Sequence, residues 1–310
     1  MTALICGSFA YDNIMSFQDR FKNHILPDKV HILNVCFLVP AMRKEFGGCA
    51  GNIAYNLNLL GGNGKPMGTV GSDFAPYAKW MHTMSISQEY LKVVDHAYTA
   101  QAFITTDLDD NQITAFHPGA MDFAHTQSIP TDAGISLGLI SPDGRAAMIQ
   151  HAEQFSTANI PFIFDPGQGL PMFDGAQLTS FIEQASYVTV NDYEAQLLQD
   201  RTGLTEQQIS EQVEALIITQ GARGSKIYNQ GSLMHIPALP VDAIKDPTGC
   251  GDAYRAGLIY GIMNQLDWHT TGQIASLLGA LKIQHHGTQN HHFTVDQFKH
   301  QYQVVYGKTF

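Results

Sequence analysis

The chain has 310 residues, 44% of them hydrophobic, enough to bury a large core in one α/β domain with an elaboration. A formal charge of −11 without a lysine-arginine block argues against nucleic acid or an anionic membrane as the main partner, and leaves a polyanionic substrate to be held by amides, a few cations or a metal. Cys6, Cys36, Cys49 and Cys250 form no CxxC pair, and no basic leader or apolar run of about 18 residues is present, so reduced thiols and a cytoplasmic location are expected.

Ala3 to Cys6 is a short apolar run closed by Gly7-Ser8, which predicts a buried first strand opening onto a loop with Tyr11, Asp12 and Asn13. In a doubly wound sheet, ligands gather at the carboxyl ends of strands, which makes Asp12 a candidate for gripping substrate hydroxyls. The β-prone segment from Val30 to Val39, between Pro27 and Pro40, and two later pieces, Thr99 to Thr106 and Gln112 to Phe116, predict a small separate sheet. Such a sheet would cover a site as a lid, and its apolar face would suit a second copy of the chain, a homodimer. Gly47-Gly48-Cys49-Ala50-Gly51-Asn52 is a glycine loop feeding a helix that stops at Gly61-Gly62, and Asn52 in its first turn offers donor and acceptor together. Gly64-Lys65 is followed by Pro66 and lacks the earlier glycine, so it is no P-loop.

From Thr131 the alternation becomes regular. Strands are predicted at Ile135 to Ile140, Pro161 to Phe164, Tyr187 to Val190 and Ala215 to Thr219, with helices such as Arg145 to Thr157 and Gln177 to Gln184 between them. The strands end in Asp165-Pro166-Gly167-Gln168, Asn191-Asp192-Tyr193-Glu194 and Thr219-Gln220-Gly221-Ala222-Arg223-Gly224, which is what a ligand site along one sheet edge requires. Gly231-Ser232 predicts a hairpin at the end of the sheet.

The chain is organised around Asp246-Pro247-Thr248-Gly249-Cys250-Gly251-Asp252, which runs into the apolar helix Ala253 to Met263 after what reads as a strand end at Val241 to Ile244. The first amides of a helix lack intrahelical partners and carry partial positive charge, a ready anion site, and Gly249 and Gly251 let backbone approach a phosphate. Asp252 beside that site would repel a phosphate it merely had to bind, but suits transfer chemistry, in which a carboxylate deprotonates an attacking hydroxyl while amides hold the developing charge. The helix Ile274 to His285 carries Gly279-Ala280, small residues against which a flat base would lie, followed by the His286-Gly287 loop. His285, His286, His291 and His292 are not read as a metal site, because adjacent histidines point opposite ways and no carboxylate or thiolate completes a shell.

Gly47-Gly48-x-x-x-Asn52 and Asp246-x-Thr248-Gly249-x-Gly251-Asp252-Ala253-x-x-Ala256-Gly257 together resemble the paired signatures of the ribokinase-like (PfkB) family of carbohydrate and nucleoside kinases. Asn191-x-x-Glu194 and Thr219-x-Gly221-x-x-Gly224 resemble its third motif and its nucleotide loop, and the opening stretch is most similar to bacterial adenosine kinases: Gly7-Ser8, Asp12, Phe17-x-x-Arg20-Phe21, and later Phe116-x-Pro118-Gly119-Ala120-Met121. The resemblance implies a single ribokinase-like domain over residues 1–310, a mostly parallel sheet with helices on both faces, and a lid drawn from about residues 13–46 and 99–119. It implies ATP-dependent phosphorylation of the ribose 5′-hydroxyl of adenosine, giving AMP and ADP in purine salvage, with a ribose or fructose kinase or a kinase for another nucleoside as the neighbouring reading. A catalytically silent nucleoside-binding protein is the rival from a different class. Residue by residue, Asp252 would be the catalytic base and Gly249, Cys250 and Gly251 the anion hole. Ser8, Asp12, Gly48 and Asn52 would hold the ribose, with Phe116 stacked on the base and Gln168 reaching it. Thr219, Gly221, Gly224, Ala280 and Gly287 would border ATP, Asn191 and Glu194 would organise Mg2+ through water, and Asp246 would belong to a monovalent-cation loop taking K+. Ala102 stands where such relatives carry an aromatic, which implies a base stacked on one face only, about 1–1.5 kcal/mol weaker.

Overall fold

A computed structural model describes residues 1–26, 31–32, 34–109 and 111–310; Pro27, Val30, Leu33 and Asp110 of the expected lid fall outside these. In chain order the strands are β1 (Ala3–Cys6), β2 (Ala10–Ser16), β3 (Ala41–Gly47), β4 (Gly64–Gly71), β5 (Tyr90–Val94), β6 (Ala100–Thr106), β7 (Gln112–His117), β8 (Leu137–Ile140), β9 (Phe162–Phe164), β10 (Tyr187–Asn191), β11 (Ala215–Thr219), β12 (Ser225–Asn229) and β13 (Ser232–Ile236). The helices are α1 (Cys49–Leu59), α2 (Ala75–Thr83), α3 (Arg145–Thr157), α4 (Gly175–Gln184), α5 (Asp192–Thr202), α6 (Glu206–Ser210), α7 (Cys250–Met263), α8 (Trp268–Ile283) and α9 (Val295–Tyr306). None of the described helices is long and apolar enough to cross a membrane.

Nine strands form one sheet in the order β13-β12-β11-β10-β9-β8-β1-β4-β5, parallel except for the β11-β12-β13 meander at one edge. Alternate residues of its strands feed two cores. Ile5 and Ile217 pack with Tyr55, Leu258, Ile274 and Phe298 on one face, while Leu4, Leu216 and Ile218 pack with Met148, Phe155, Phe164 and Phe181 on the other. The short apolar runs read from the sequence are therefore strands buried on both faces, and α3, α4 and α5 follow β8, β9 and β10 in turn.

Four corrections concern the first half of the chain and the approach to α7. Tyr11, Asp12 and Asn13 lie in β2 and not in a loop; Tyr11 and Asn13 are buried on one face, and Asp12 stands on the other. Residues 34–39 carry no strand, and the lid strand after β2 is β3, antiparallel to it. Val241 to Ile244 is irregular backbone, not a strand end. Strand β4, a stretch rich in glycine with Pro66 inside it, was not among the expected strands. Tertiary crowding explains two of its glycines: a Cβ at Gly68 would stand 2.6 Å from the Gly7 carbonyl oxygen, and one at Gly71 2.2 Å from the Thr99 amide nitrogen.

The second sheet has the order β3-β2-β6-β7. Its pairing aligns Glu45, Asp12, Ala102 and Phe116 in one row across one face. Successive side chains of a strand alternate, so Met42, Phe103 and Ile113 stand on the opposite face, where all three are exposed. Strand β3 runs through Gly47-Gly48 straight into α1, which ties this small sheet to the body. Gly48 has φ +87°, and a Cβ there would meet the backbone of Ser8 and Phe9 at 2.5–2.6 Å.

Candidate active site

The carboxyl ends of β8, β9, β10 and β11 and the start of α7 converge on a cavity of about 610 Å³. Asp165, Gln168, Asn191, Glu194, Thr219, Gly221 and Gly224 line it from the strand ends, and Cys250, Gly251, Asp252 and Ala280 line it from α7 and α8. Gln168 is exposed there. Eight of the expected residues, Ser8, Asp12, Gly48, Asn52, Phe116, Asp246, Gly249 and Gly287, lie outside this lining. Gly287 instead donates its amide to Asp246 Oδ2 at 2.9 Å. Phe116 is 49% exposed on the edge strand of the lid, in the same row as Asp12.

Asp252 sits three residues past the N-cap of α7. Gly249 supplies that cap with φ +76°, in the left-handed region, and no side chain caps the helix. The Cys250 amide turns back to the Pro247 carbonyl at 3.2 Å, whereas the amides of Gly251 and Asp252 donate to no group among the described residues. Of the expected trio, the amides of Gly249 and Gly251 are thus without a partner among the described residues and only that of Cys250 is spent within the turn, with Gly249 serving as the bend.

The Asp252 carboxylate is positioned by a relay of side chains. Asn52 Nδ2 donates to its Oδ2 at 2.8 Å, Gln289 Nε2 donates to Asn52 Oδ1 at 3.0 Å, and Trp80 Nε1 donates to Gln289 Oε1 at 2.9 Å. Gln289 also donates to the Tyr77 hydroxyl, and Tyr77 to the Gly47 carbonyl at 3.0 Å. Asn52, expected on a ribose, therefore spends its oxygen and one of its protons on holding Asp252. Ser8 Oγ accepts from the Cys49 amide at 3.2 Å and so braces the start of α1. Burial pushes the Asp252 carboxyl up to about 6 against the opposing hydrogen bond from Asn52; Asp165 raises it further and Arg255 lowers it.

Asp12 carries its carboxylate over Gly47, where a Cβ would stand 2.5 Å from Oδ2. It accepts no hydrogen bond among the described residues, and burial, with Asp246 and Glu45 nearby, pushes it up to about 6. A carboxylate with both oxygens unspent in a partly buried position is an acceptor for hydroxyl groups.

Arg255 and Asp165 form a charged pair that the sequence reading did not single out. Arg255 is 5% exposed and Asp165 3%; Nε and Nη2 of the arginine donate to the two carboxylate oxygens at 3.0 and 2.9 Å. Its third nitrogen, Nη1, lies beside Gly251, 3.2 Å from where a Cβ would be. A positive charge therefore stands next to the free amides of α7. The signal was there: an arginine inside the apolar run Ala253 to Met263 can be buried only with a partner.

Asn191 and Glu194 form a capping box on α5, each side chain accepting from the other's backbone amide at 2.8 and 2.7 Å. One oxygen of Glu194 is left for the cavity, and no cluster of three or more His, Cys, Asp or Glu able to hold a metal occurs among the described residues. That donor set fits Mg2+ that keeps its waters and is held mainly by a polyphosphate, with Glu194 as the protein's hard oxygen. On the far side of the Asp246 turn, burial pulls the Lys282 ammonium below its usual range, while Cys250, Asp246 and Asp252 push it back.

The pfkB family carbohydrate kinase model matches residues 25–294. Among solved structures, a Burkholderia thailandensis nucleoside kinase in complex with inosine superposes with a TM-score of 0.91 at 52% identity, covering 99% of each chain. The same enzyme in complex with ADP-inosine superposes with a TM-score of 0.88 at 53% identity, over 99% of this chain and 97% of that one. A nucleoside kinase of Methanocaldococcus jannaschii is 29% identical over 85% of this chain and 87% of its own length. A fructokinase of Klebsiella pneumoniae is 26% identical over 70% of this chain and 76% of its own.

Proposed function

Because the chain belongs to the pfkB family of carbohydrate kinases, with a ribokinase-like fold and transfer of phosphate to a nucleoside or sugar hydroxyl as its chemistry, we propose that it is an ATP-dependent purine-nucleoside 5′-kinase. The observation that carries this reading is the Asp252 carboxylate, held by Asn52 at the mouth of α7 beside two amides, those of Gly251 and Asp252, with no partner among the described residues. Asp252 takes the proton of the ribose 5′-hydroxyl as that oxygen attacks the γ-phosphorus, and the amides of Gly251 and Asp252, with Arg255 behind them, receive the charge developing on the transferred group. A carboxyl near 6 is basic enough to accept a proton and is ionised at neutral pH. Asp12 takes hydroxyls of the sugar, and Ser8 and Gly48 shape the floor beside it. Thr219, Gly221, Gly224 and Ala280 border ATP, and Gln168 faces the acceptor end. Glu194, fixed by Asn191, would hold Mg2+ through its waters, and that ion would supply neutralisation of the phosphate charge.

The adenosine expectation widens to the purine nucleosides, with inosine placed ahead because the 52% identical relative was solved with inosine. Phe116 on the open edge of the lid stacks on the base once the lid lies over it. The apolar face with Met42, Phe103 and Ile113, turned away from Asp12, supports a homodimer through the lid, and light scattering at twice the monomer mass is the expected reading. Cytoplasmic purine salvage is the setting that this activity fits.

ADP release measured with inosine, adenosine, guanosine, cytidine, ribose and fructose tests the assignment. Saturation by the purine nucleosides at the lowest concentration is expected; saturation only by a free sugar overturns it, and nucleoside binding without ADP release supports the silent-protein reading. Asp252→Asn is expected to lower kcat by roughly 10²–10⁴-fold with little change in nucleoside affinity.

A further inference from the structure

The loop expected to take K+ is already supplied with a cation. Lys282, in the last turn of α8, is fully buried, and its Nζ donates to the Asp246 carbonyl oxygen at 2.7 Å. Both carboxylate oxygens of Asp246 are engaged: Oδ1 accepts the Thr248 amide and Oδ2 the Gly287 amide, both at 2.9 Å, and Arg43 Nη2 stands 3.8 Å from Oδ2. The amides of Lys245 and Asp246 are tied to the Ile283 carbonyl at 2.9 and 3.2 Å. The oxygens that would coordinate an alkali ion between this turn and the end of α8 are thus spent on amides and on an ammonium. A helix C-terminus, with its unpaired carbonyls and negative dipole end, is where either cation would be held. No carboxylate lies within ion-pair distance of Lys282 among the described residues, so the ammonium is held as a carbonyl-bound ion is. The residues do not fit a free monovalent cation.

We propose that the Lys282 ammonium takes the place of a monovalent cation behind the Asp246 turn, making this enzyme independent of K+. Lys282 is a positioning residue in this scheme. It fixes the turn that sets the free amides of α7, and its charge stands among those acting on Asp252 and Cys250. The inference rests on the kinase reading for its consequence in turnover, but not for the site itself.

The test compares the wild type and Lys282→Ser in KCl and in tetramethylammonium chloride of equal ionic strength, by turnover and by thermal unfolding. The wild type should turn over within about twofold in the two salts and unfold at the same temperature. In Lys282→Ser the opened, oxygen-lined space should accept the alkali ion: K+ restores turnover by about tenfold or more and raises Tm, whereas tetramethylammonium, too large to enter, does neither. Lys282→Met, which keeps the length and loses the charge, should be slow in both salts. Strong stimulation of the wild type by K+ overturns the proposal, as does a folded Lys282→Ser whose Tm and turnover ignore K+. If Lys282→Ser does not fold, Lys282→Arg decides: a second resident cation should leave it indifferent to K+, and stimulation overturns the proposal. Unfolding needs no acceptor, so a wrong substrate assignment would silence the kinetic arm and leave the Tm arm readable.

Discussion

At the scale of single residues, the site depends on how a carboxylate is held. Asn52 donates to Asp252 and accepts from Gln289, so it both aims the base and lowers its pKa against the pull of burial. With an Asp252 carboxyl near 6, kcat/KM should fall with decreasing pH along a limb centred near that value. Asn52→Ala removes the hydrogen bond that favours the ionised form, so the limb should move to higher pH while kcat drops by roughly 10–100-fold. A pH profile of kcat/KM measures this; an unmoved limb would show that Asn52 does not act through Asp252. Asn52 was legible as a polar residue at a helix start that offers donor and acceptor together. Its bond to a residue two hundred positions away was not, because Gln289 and Trp80 reach it only through the folded contact of α1, α2 and the loop after α8.

At the scale of elements, α7 and α8 pack so closely that glycine is required at their crossing. A Cβ at Gly257 would stand 2.4 Å from the Ala275 Cα, backbone that no side-chain rotation relieves. Gly257→Ala gains up to about 1 kcal/mol of helix propensity, but forcing the helices apart costs more, so a net loss of roughly 1–3 kcal/mol is expected. Denaturant unfolding measures the loss. Because α7 carries Asp252 and α8 carries Ala280 on the cavity wall, KM for ATP should rise as well. The glycine was visible in the sequence as part of a motif, yet its structural reason lies in a neighbour on another helix. The reverse holds for α5: the Asn191 to Glu194 spacing was legible as a site motif, and the structure adds that the same two side chains cap the helix that presents them. Strand β4 shows the limit of local reading, since its glycines avoid backbone that arrives from elsewhere.

At the scale of the whole molecule, an acidic chain has folded with several carboxylates inside. Asp143, in the turn after β8, is 3% exposed; its Oδ1 accepts the Gly144 amide at 2.8 Å and its Oδ2 has no partner among the described residues. Burial pushes it up to about 7 from an unfolded value near 3.8, as it pushes Asp12 and Asp252 to about 6. Where the folded pKa exceeds the unfolded one, the native state binds more protons, so these groups make stability fall as pH rises through the window from about 4 to 7. Asp143→Asn should flatten that fall by about 1–3 kcal/mol between pH 4 and 8, measured by urea unfolding at each pH. The window also covers the limb of activity, so these three groups stabilise the fold most where the base is protonated and idle, against Asp19, Asp246 and Asp267, whose lowered pKa values act the other way.

The sequence by itself determined the alternation of buried strands and helices, the glycine turns that open α1 and α7, and the acid at the head of α7. Each of these is a local demand: apolar periodicity, a left-handed bend, free amides at a helix start. Only the tertiary structure decided which groups complete them, namely the Asn52 relay, the buried Arg255 with Asp165, the spent oxygens of Asp246 and the ammonium of Lys282. Those are pairings between residues far apart in the chain, fixed by the need of each buried charge and polar atom to find a partner once water is gone.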